Sequence, residues 1–261
     1  MINVAVLGYG TIGSGAVEVI ETNQEVLQKR TRHEINVKYV LVLREFPGTS
    51  VEKKVIHDFA IIENDKDVQV VIETMGGLEP AFTFAKKSLQ AGKAYVTSNK
   101  ELVAKYGAEL IALAKANNTN FLFEASVGGG IPIIRPINEC ITGDVILEIS
   151  GILNGTTNYI LSKMTYDGWT FEQALKDAQD KGYAERNPEA DVEGHDACRK
   201  IAILSSLMTG KYVKYQDIYT EGITKITSAD FKYAKALNKS IKFLFAIKKF
   251  VSKNNFSIIG V

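Results

Sequence analysis

Cysteine is nearly absent: Cys140 and Cys198 are the only two in 261 residues, too few for a disulfide framework. A reducing, cytoplasmic setting suits such a chain. Histidine is almost as scarce, and His33, His57 and His195 fall at spacings that no zinc site uses. With Cys198, they read as structural. No apolar run approaches the about 18 residues of a membrane span. The opening Met1–Leu7 has neither the length nor the basic start of a signal peptide. A formal charge of +1 leaves no general electrostatic case for nucleic acid or an anionic membrane. What remains is globular: 46% hydrophobic and 23% charged residues exclude disorder, and the length suits one large or two ordinary domains. No internal repeat is visible.

The first chemistry-bearing stretch comes early. Ile2 to Leu7 is a short β-branched run, which predicts a buried strand. Gly8-Tyr9-Gly10-Thr11-Ile12-Gly13 follows at once, ahead of an amphipathic stretch. A G-x-G-x-x-G between a strand and a helix is a dinucleotide fingerprint. Gly8 permits the tight turn, Gly10 lets a pyrophosphate approach the backbone, and Gly13 lets helix and strand pack closely. The helix start then offers unpaired N–H groups to the phosphates. A glycine turn in an unliganded sheet is the bland alternative.

The alternation continues. A second strand is expected over Val37–Leu43, ending on Arg44 and Glu45. An acid there holds a ribose 2′-hydroxyl, whereas an arginine accommodates a 2′-phosphate. Arg44, with Lys53 and Lys54 downstream, favours NADP; Glu45 keeps NAD open. Strands at Val68–Glu73, Ala94–Thr97 and Phe121–Glu124 are separated by helices starting at Pro80 and after Ser98. Ser98 and Glu101 have capping-box spacing. The pattern predicts an α/β Rossmann-type doubly wound parallel sheet over residues 1–125, with ligands beyond the carboxyl ends of the strands. Thr74, Ser98, Lys100 and Glu124 fall at that edge. Lys100 sits in a helix first turn, where the dipole disfavours a cation.

Residues 126–261 lose the alternation and predict an α+β domain for substrate binding and dimerisation. A helix is expected over 133–141 and strands over Val145–Leu153, Ile241–Phe250 and Phe256–Val261. Helices are expected after Asn154, after the Thr170–Gln173 capping box, up to about Met208, and over Ser228–Leu237. Between Lys181 and Lys200 five carboxylates (Glu185, Glu189, Asp191, Glu193, Asp196) fall within twelve residues, ahead of an apolar helix. Asp191 has the position of an N-cap. Asp196 and Lys200, four apart, share one helix face about 5–6 Å apart. A solvated salt bridge is the bland reading of that pair.

Taken together, Gly8–Gly13, Ser98-Asn99-Lys100, E-A-S-V-G-G-G-I-P at Glu124–Pro132, G-I-L-N-G-T-T-N at Gly151–Asn158 and the Lys181–Lys200 stretch resemble the homoserine dehydrogenase family over essentially the whole chain. The first motif is generic to dinucleotide binders; the last three in this order are specific. The resemblance implies interconversion of L-homoserine and L-aspartate 4-semialdehyde with NADP or NAD, in threonine and methionine biosynthesis. It implies cofactor contacts from Gly8, Gly10, Thr11, Ile12, Gly13, Arg44, Thr74, Ser98 and Lys100, and substrate contacts from Gly182, Glu185, Asp191 and Asp196. On the same resemblance, Glu185 is expected to pair with the substrate ammonium group, Lys200 to be the general acid–base, and Asp196 to orient it. Lys100, near both cofactor and substrate, is the rival for the proton. The loop from Glu124 matches a monovalent-cation site, with Glu124, Val127, Gly129 and Ile131 around a sodium ion; a metal-free glycine hinge is the alternative.

The family's members commonly form homodimers through the second sheet. They also continue past the position of Val261 through a further strand and a glycine-rich segment that returns to the cofactor domain. The resemblance therefore leaves this chain without that closure and without a regulatory domain. Two other functions stay open: a different amino-acid or semialdehyde dehydrogenase, and a non-catalytic dinucleotide-binding protein. A phosphorylating semialdehyde enzyme needs an exposed nucleophilic cysteine, for which neither Cys140 nor Cys198 is placed.

Overall fold

A computed structural model describes residues 1–250 and 255–260 in backbone, and residues 1–248 in side chains as well. The chain divides into two units, Met1–Arg135 and Pro136–Val261. Residues 126–135 thus lie with the first unit rather than the second. The Glu124 carboxylate holds them there, accepting from the backbone N–H of Ile133, Ile134 and Arg135 at 2.5–2.8 Å.

In the first unit the elements run β1 (Ile2–Leu7), α1 (Thr11–Thr22), α2 (Gln24–Thr31), β2 (Ile35–Leu41), β3 (Val55–Ile56), α3 (Phe59–Asn64), β4 (Val68–Glu73), α4 (Ala81–Gln90), β5 (Ala94–Thr97), α5 (Lys100–Ala116) and β6 (Phe121–Leu122). Six strands form one sheet in the order β3-β2-β1-β4-β5-β6, with every pair parallel. Val4, Ala5, Val6 and Leu7 of β1 are all buried, as a central parallel strand covered on both faces must be. Helix α5 buries Val103, Gly107, Leu110 and Ala114, a stripe at helical spacing. The chain order reverses between β1 and β4, which opens a crevice at their carboxyl ends. The doubly wound expectation is met. Three details differ: β2 spans Ile35–Leu41 rather than Val37–Leu43, so Arg44 and Glu45 lie in the loop after it, β3 adds a short sixth strand, and β6 stops at Leu122 because Glu124 opens a tight turn.

The second unit contains β7 (Glu148–Gly151), α6 (Gly155–Tyr166), α7 (Phe171–Asp180), α8 (Glu189–Val192), α9 (His195–Thr209), α10 (Ser228–Ala236), β8 (Phe245–Phe250) and β9 (Asn255–Gly260). The sheet is antiparallel, in the order β7-β8-β9. Helix α9 buries Ala197, Cys198, Ile201, Ala202, Ile203 and Leu204, covered nearly all round. The Thr170–Gln173 capping box forms at the start of α7.

Two expectations differ in detail. A helical stretch does run over 134–140, within the expected 133–141, but its main part, Pro136–Cys140, is a π-helical turn. Pro136 brings no N–H to a helical ladder, and Glu124 takes the three N–H groups before it. β7 is shorter than Val145–Leu153, since its partner β8 begins only at Phe245. Val261, expected to end the last strand, lies outside the described residues.

Candidate functional site

In the first unit the site is a corner made of main chain. Gly8 takes a φ of +93°, which only glycine adopts without strain. A Cβ on Gly13 would lie 2.2 Å from the Gly8 carbonyl oxygen and 2.7 Å from Thr74 Oγ1. Strand and helix therefore touch at a distance no side chain allows. At Gly10 a Cβ would meet no protein atom within 4 Å, so the space there is open. No side chain caps α1, whose first-turn N–H groups, those of Thr11, Ile12 and Gly13, point out of its start.

Side chains from neighbouring strand ends lock this corner. Thr74 donates through Oγ1 to the carbonyls of Leu7 (3.0 Å) and Gly8 (3.3 Å), joining the β4 and β1 ends. Glu73 is fully buried; its carboxylate accepts from the N–H of Met75 and Gly76 and from Thr97 Oγ1 at 2.6 Å. That locks the β4 turn to β5. Glu73 was missed as a site residue because a strand-end acid has no sequence signature until its neighbours are known. The predicted Ser98 cap moves by one residue. Asn99 caps α5, its Oδ1 accepting from Leu102 N–H at 3.1 Å while its Nδ2 donates to the Gly77 carbonyl. An amide can do both; a serine hydroxyl cannot span the same pair. Ser98 and Lys100 flank that cap, and Lys100 is the first residue of α5.

A cavity of about 600 Å³ opens beside the corner, lined by Gly8, Gly10, Arg44, Phe46, His57 and Thr74 among others. Its volume suits a cofactor-sized ligand. The Arg44 guanidinium lies over the Phe46 ring at 4.9 Å, and Tyr9 meets the same ring edge-on. Glycines that admit a close approach, an uncapped helix start and an arginine in the loop after β2 are the donor set a dinucleotide needs. The cavity fits one.

In the second unit the site is made of side chains, gathered at the start of α6. Asn154 caps that helix through Oδ1, accepting from Thr157 N–H (2.8 Å) and Thr157 Oγ1 (2.9 Å). Its Nδ2 donates to Asp191 Oδ1 at 2.7 Å and to Asp196 Oδ2 at 3.1 Å. Lys200 donates to Asp196 Oδ2 at 2.9 Å and to the Leu153 carbonyl at 2.8 Å. Asp196 is 6% and Lys200 15% exposed in its side chain, so the pair is no solvated surface bridge. The helix-face expectation is met, and a buried carboxylate is here matched to two donors.

Asp191 does not cap α9. Gly194, left-handed at φ +83°, holds the N-cap position, and Asp191 sits in the one-turn α8 with its carboxylate drawn to the Asn154 amide. Thr156 Oγ1 donates to the Tyr183 carbonyl at 2.7 Å, which ties the Gly182–Glu185 loop to the same helix start. Lys181 donates to Tyr159 Oη and Asp177, holding the end of α7 where that loop begins. Glu185 itself is exposed. Sequence reasoning overlooked Asn154, whose weight comes from bridging carboxylates 37 and 42 residues away.

The Glu124–Ile131 loop is tightly folded: a Cβ on Gly128 would lie 2.2 Å from the Ile131 carbonyl oxygen. Burial works to raise the Glu124 pKa, but three backbone N–H donors and Arg135 outweigh it and hold the carboxyl below its ordinary value. With that carboxylate engaged, the loop offers a hard cation chiefly main-chain carbonyls, a donor type that suits such ions. Among the described residues no group of three or more His, Cys, Asp or Glu side chains is placed to hold a metal. No described helix is long and apolar enough to cross a membrane.

Comparison with known proteins gives a family for both units. The family model "Homoserine dehydrogenase, NAD binding domain" matches residues 8–124, and the model "Homoserine dehydrogenase" matches residues 132–258. A homoserine dehydrogenase of Bacillus subtilis is 41% identical over 260 residues, covering 98% of this chain and 60% of that protein. The chain thus spans about 60% of the length of that curated relative. A crystal structure of a homoserine dehydrogenase from Thiobacillus denitrificans superposes with a TM-score of 0.91 at 38% identity, covering 98% of this chain and 60% of that one. A putative homoserine dehydrogenase from Archaeoglobus fulgidus gives 0.86 at 29% identity, with 100% and 84% covered.

Proposed function

The chain belongs to the homoserine dehydrogenase family, and on that premise we propose that it interconverts L-homoserine and L-aspartate 4-semialdehyde with NAD or NADP. The observation that carries the reading is the Leu153–Lys200–Asp196 arrangement, a half-buried ammonium fixed by a buried carboxylate and a carbonyl. When bound, the oxidised dinucleotide supplies the acceptor for the hydride that leaves the primary alcohol carbon. The protein's part is the proton. A hydride leaves that carbon only as the hydroxyl loses its proton, and a fixed lysine amine is a base that can take it. Lys200 must itself be deprotonated first. An ammonium has three N–H donors, of which Asp196 and Leu153 direct two. Asp196 thereby sets the direction of the remaining one.

Glu185, on the exposed loop that Thr156 and Lys181 anchor, is assigned to the substrate ammonium, with Gly182 and Asp191 alongside. Gly8, Gly10, Thr11, Ile12, Gly13, Arg44, Thr74, Ser98 and Lys100 are assigned to the dinucleotide. The Arg44 side chain in the cavity lining favours NADP. Carbonyls of Glu124, Val127, Gly129 and Ile131 are assigned to a sodium ion. A cytoplasmic homodimer completes the proposal, supported by the exposed apolar residues Val145, Leu147, Ile152 and Leu244 around the second sheet.

Absorbance at 340 nm with L-homoserine and either dinucleotide tests the activity. Formation of reduced cofactor supports it. Saturable NADPH binding with no turnover in either direction overturns it in favour of a non-catalytic dinucleotide binder.

A further inference from the structure

His57 is absorbed neither by the proton chemistry nor by the glycine corner, yet its side chain lines the dinucleotide cavity together with Arg44. Its ring is held between two acceptors. Nδ1 lies 2.7 Å from the Val42 carbonyl and Nε2 lies 2.7 Å from Glu45 Oε1. A neutral imidazole carries one N–H and can satisfy only one of these partners; the imidazolium satisfies both. The geometry therefore favours a charged ring, and the Val42 and Glu45 contacts raise its pKa accordingly. Glu45 is the acid in the loop after β2, where a carboxylate would accept from a ribose 2′-hydroxyl and repel a 2′-phosphate.

We propose that His57 sets which dinucleotide the pocket prefers. As an imidazolium it engages Glu45 and stands with Arg44 as a second cation for a 2′-phosphate. As a neutral ring it no longer offsets the Glu45 charge, which then favours a ribose 2′-hydroxyl and repels a 2′-phosphate. This rests on the reading of the cavity as a dinucleotide site and adds to it a residue that reads the cofactor's 2′ substituent.

The surrounding charges leave this role to the pair. Arg44 and Tyr9 are the other titratable groups lining the cavity. Asp58, next in sequence to His57, is engaged by Ala60 N–H at the start of α3. Lys54, on the preceding turn, is paired with Glu21 at 2.6 Å. The folded-state pKa of His57 is raised, so the imidazolium is fully present below the ordinary histidine value of about 6.5 and is lost as pH rises through the folded value. Preference for the phosphorylated dinucleotide should fall over that interval.

The test measures dissociation constants of NADPH and NADH by fluorescence, without turnover, from pH 5.5 to 8.5, for the unaltered protein and His57→Gln. Glutamine keeps an N–H donor but does not titrate. The 2′-phosphate has its own pKa near ~6, and that contribution is common to both proteins. Expected is an NADPH-over-NADH preference that falls about fivefold more steeply with rising pH in the unaltered protein than in the variant, the scale of one exposed charge contact. Glu45→Gln should weaken NADH and reduce the same slope. Parallel slopes for the unaltered protein and His57→Gln would overturn the role of His57 while leaving the cofactor assignment intact. Failure of either dinucleotide to bind would overturn both.

Discussion

At the corner above β1, position is held by main chain. The Gly8 carbonyl faces Gly13, and Thr74 and Glu73 tie three strand ends together. Around α9 it is held by side chains: Lys200, Asp196, Asn154 and Asp191 form one bonded series. The contrast follows from the tasks proposed for the two sites. A phosphate is recognised by N–H groups and needs room, so the corner is defined by what it lacks, namely Cβ atoms. A proton is moved by one titrating atom at one place, so the helix face is defined by a charge and by the partners that aim it. The first arrangement should fail on added bulk and the second on lost charge.

The sharpest break is Lys200→Ala. It should lower kcat by about 10³-fold, in the range for removal of a general acid–base, with KM for homoserine changed only a few-fold. A kcat within tenfold of the unaltered protein, in a folded variant, would sink the assignment. On the other side, Gly13→Ala adds one methyl 2.2 Å from a main-chain oxygen. It should weaken NADPH binding more than tenfold and destabilise the fold by about 1–3 kcal/mol. Calorimetry alongside a binding titration checks both; unchanged binding would mean that the close approach is dispensable.

Asn154→Ser sharpens the comparison from within the second unit. Serine keeps an acceptor for the Thr157 N–H and so preserves the α6 cap, but it lacks the amide that bridges Asp191 and Asp196. Expected is a loss of about tenfold in kcat/KM and a shifted pH profile, with a stability cost of about 1–3 kcal/mol from buried carboxylate oxygens left short of a donor. Loss of stability with an unmoved pH profile would make Asn154 a cap and nothing more.

The smallest effect belongs to Glu124, a side chain doing a main-chain job. Its folded pKa is lowered from the ordinary 4.5, so the stability it contributes is present above that value and lost as pH falls through the folded one. Glu124→Gln should cost about 2 kcal/mol near neutrality, since an amide cannot accept from three N–H groups at once. It should also flatten the acid limb of a stability–pH curve below about pH 4.5, measured by urea unfolding. An acid limb as steep as before would place the acid sensitivity elsewhere.

Much of this was legible in the chain because the relevant physics is local. Alternating β-branched runs and helices required a parallel sheet, and glycines spaced as in Gly8–Gly13 have one common use between a strand and a helix. Asp196 and Lys200 had to share a face once a helix was granted. The errors share a cause. Ser98 and Asp191 each had the right residue type for a cap, but Asn99 reaches a second partner in Gly77, and Asp191 is drawn away by Asn154. Such choices depend on groups 20 to 40 residues distant, and no spacing rule reports them.

The order of elements, the glycine corner and the acid–amine pairing on α9 were therefore determined by sequence alone, since each depends on backbone periodicity or steric freedom within a few residues. Only the tertiary structure decided that Glu73 locks β4 to β5, that Asn154 aims two carboxylates, and that His57 stands between Val42 and Glu45 in the cavity wall. A hydrogen bond needs its partners within about 3 Å, and which distant side chains come that close is settled by packing.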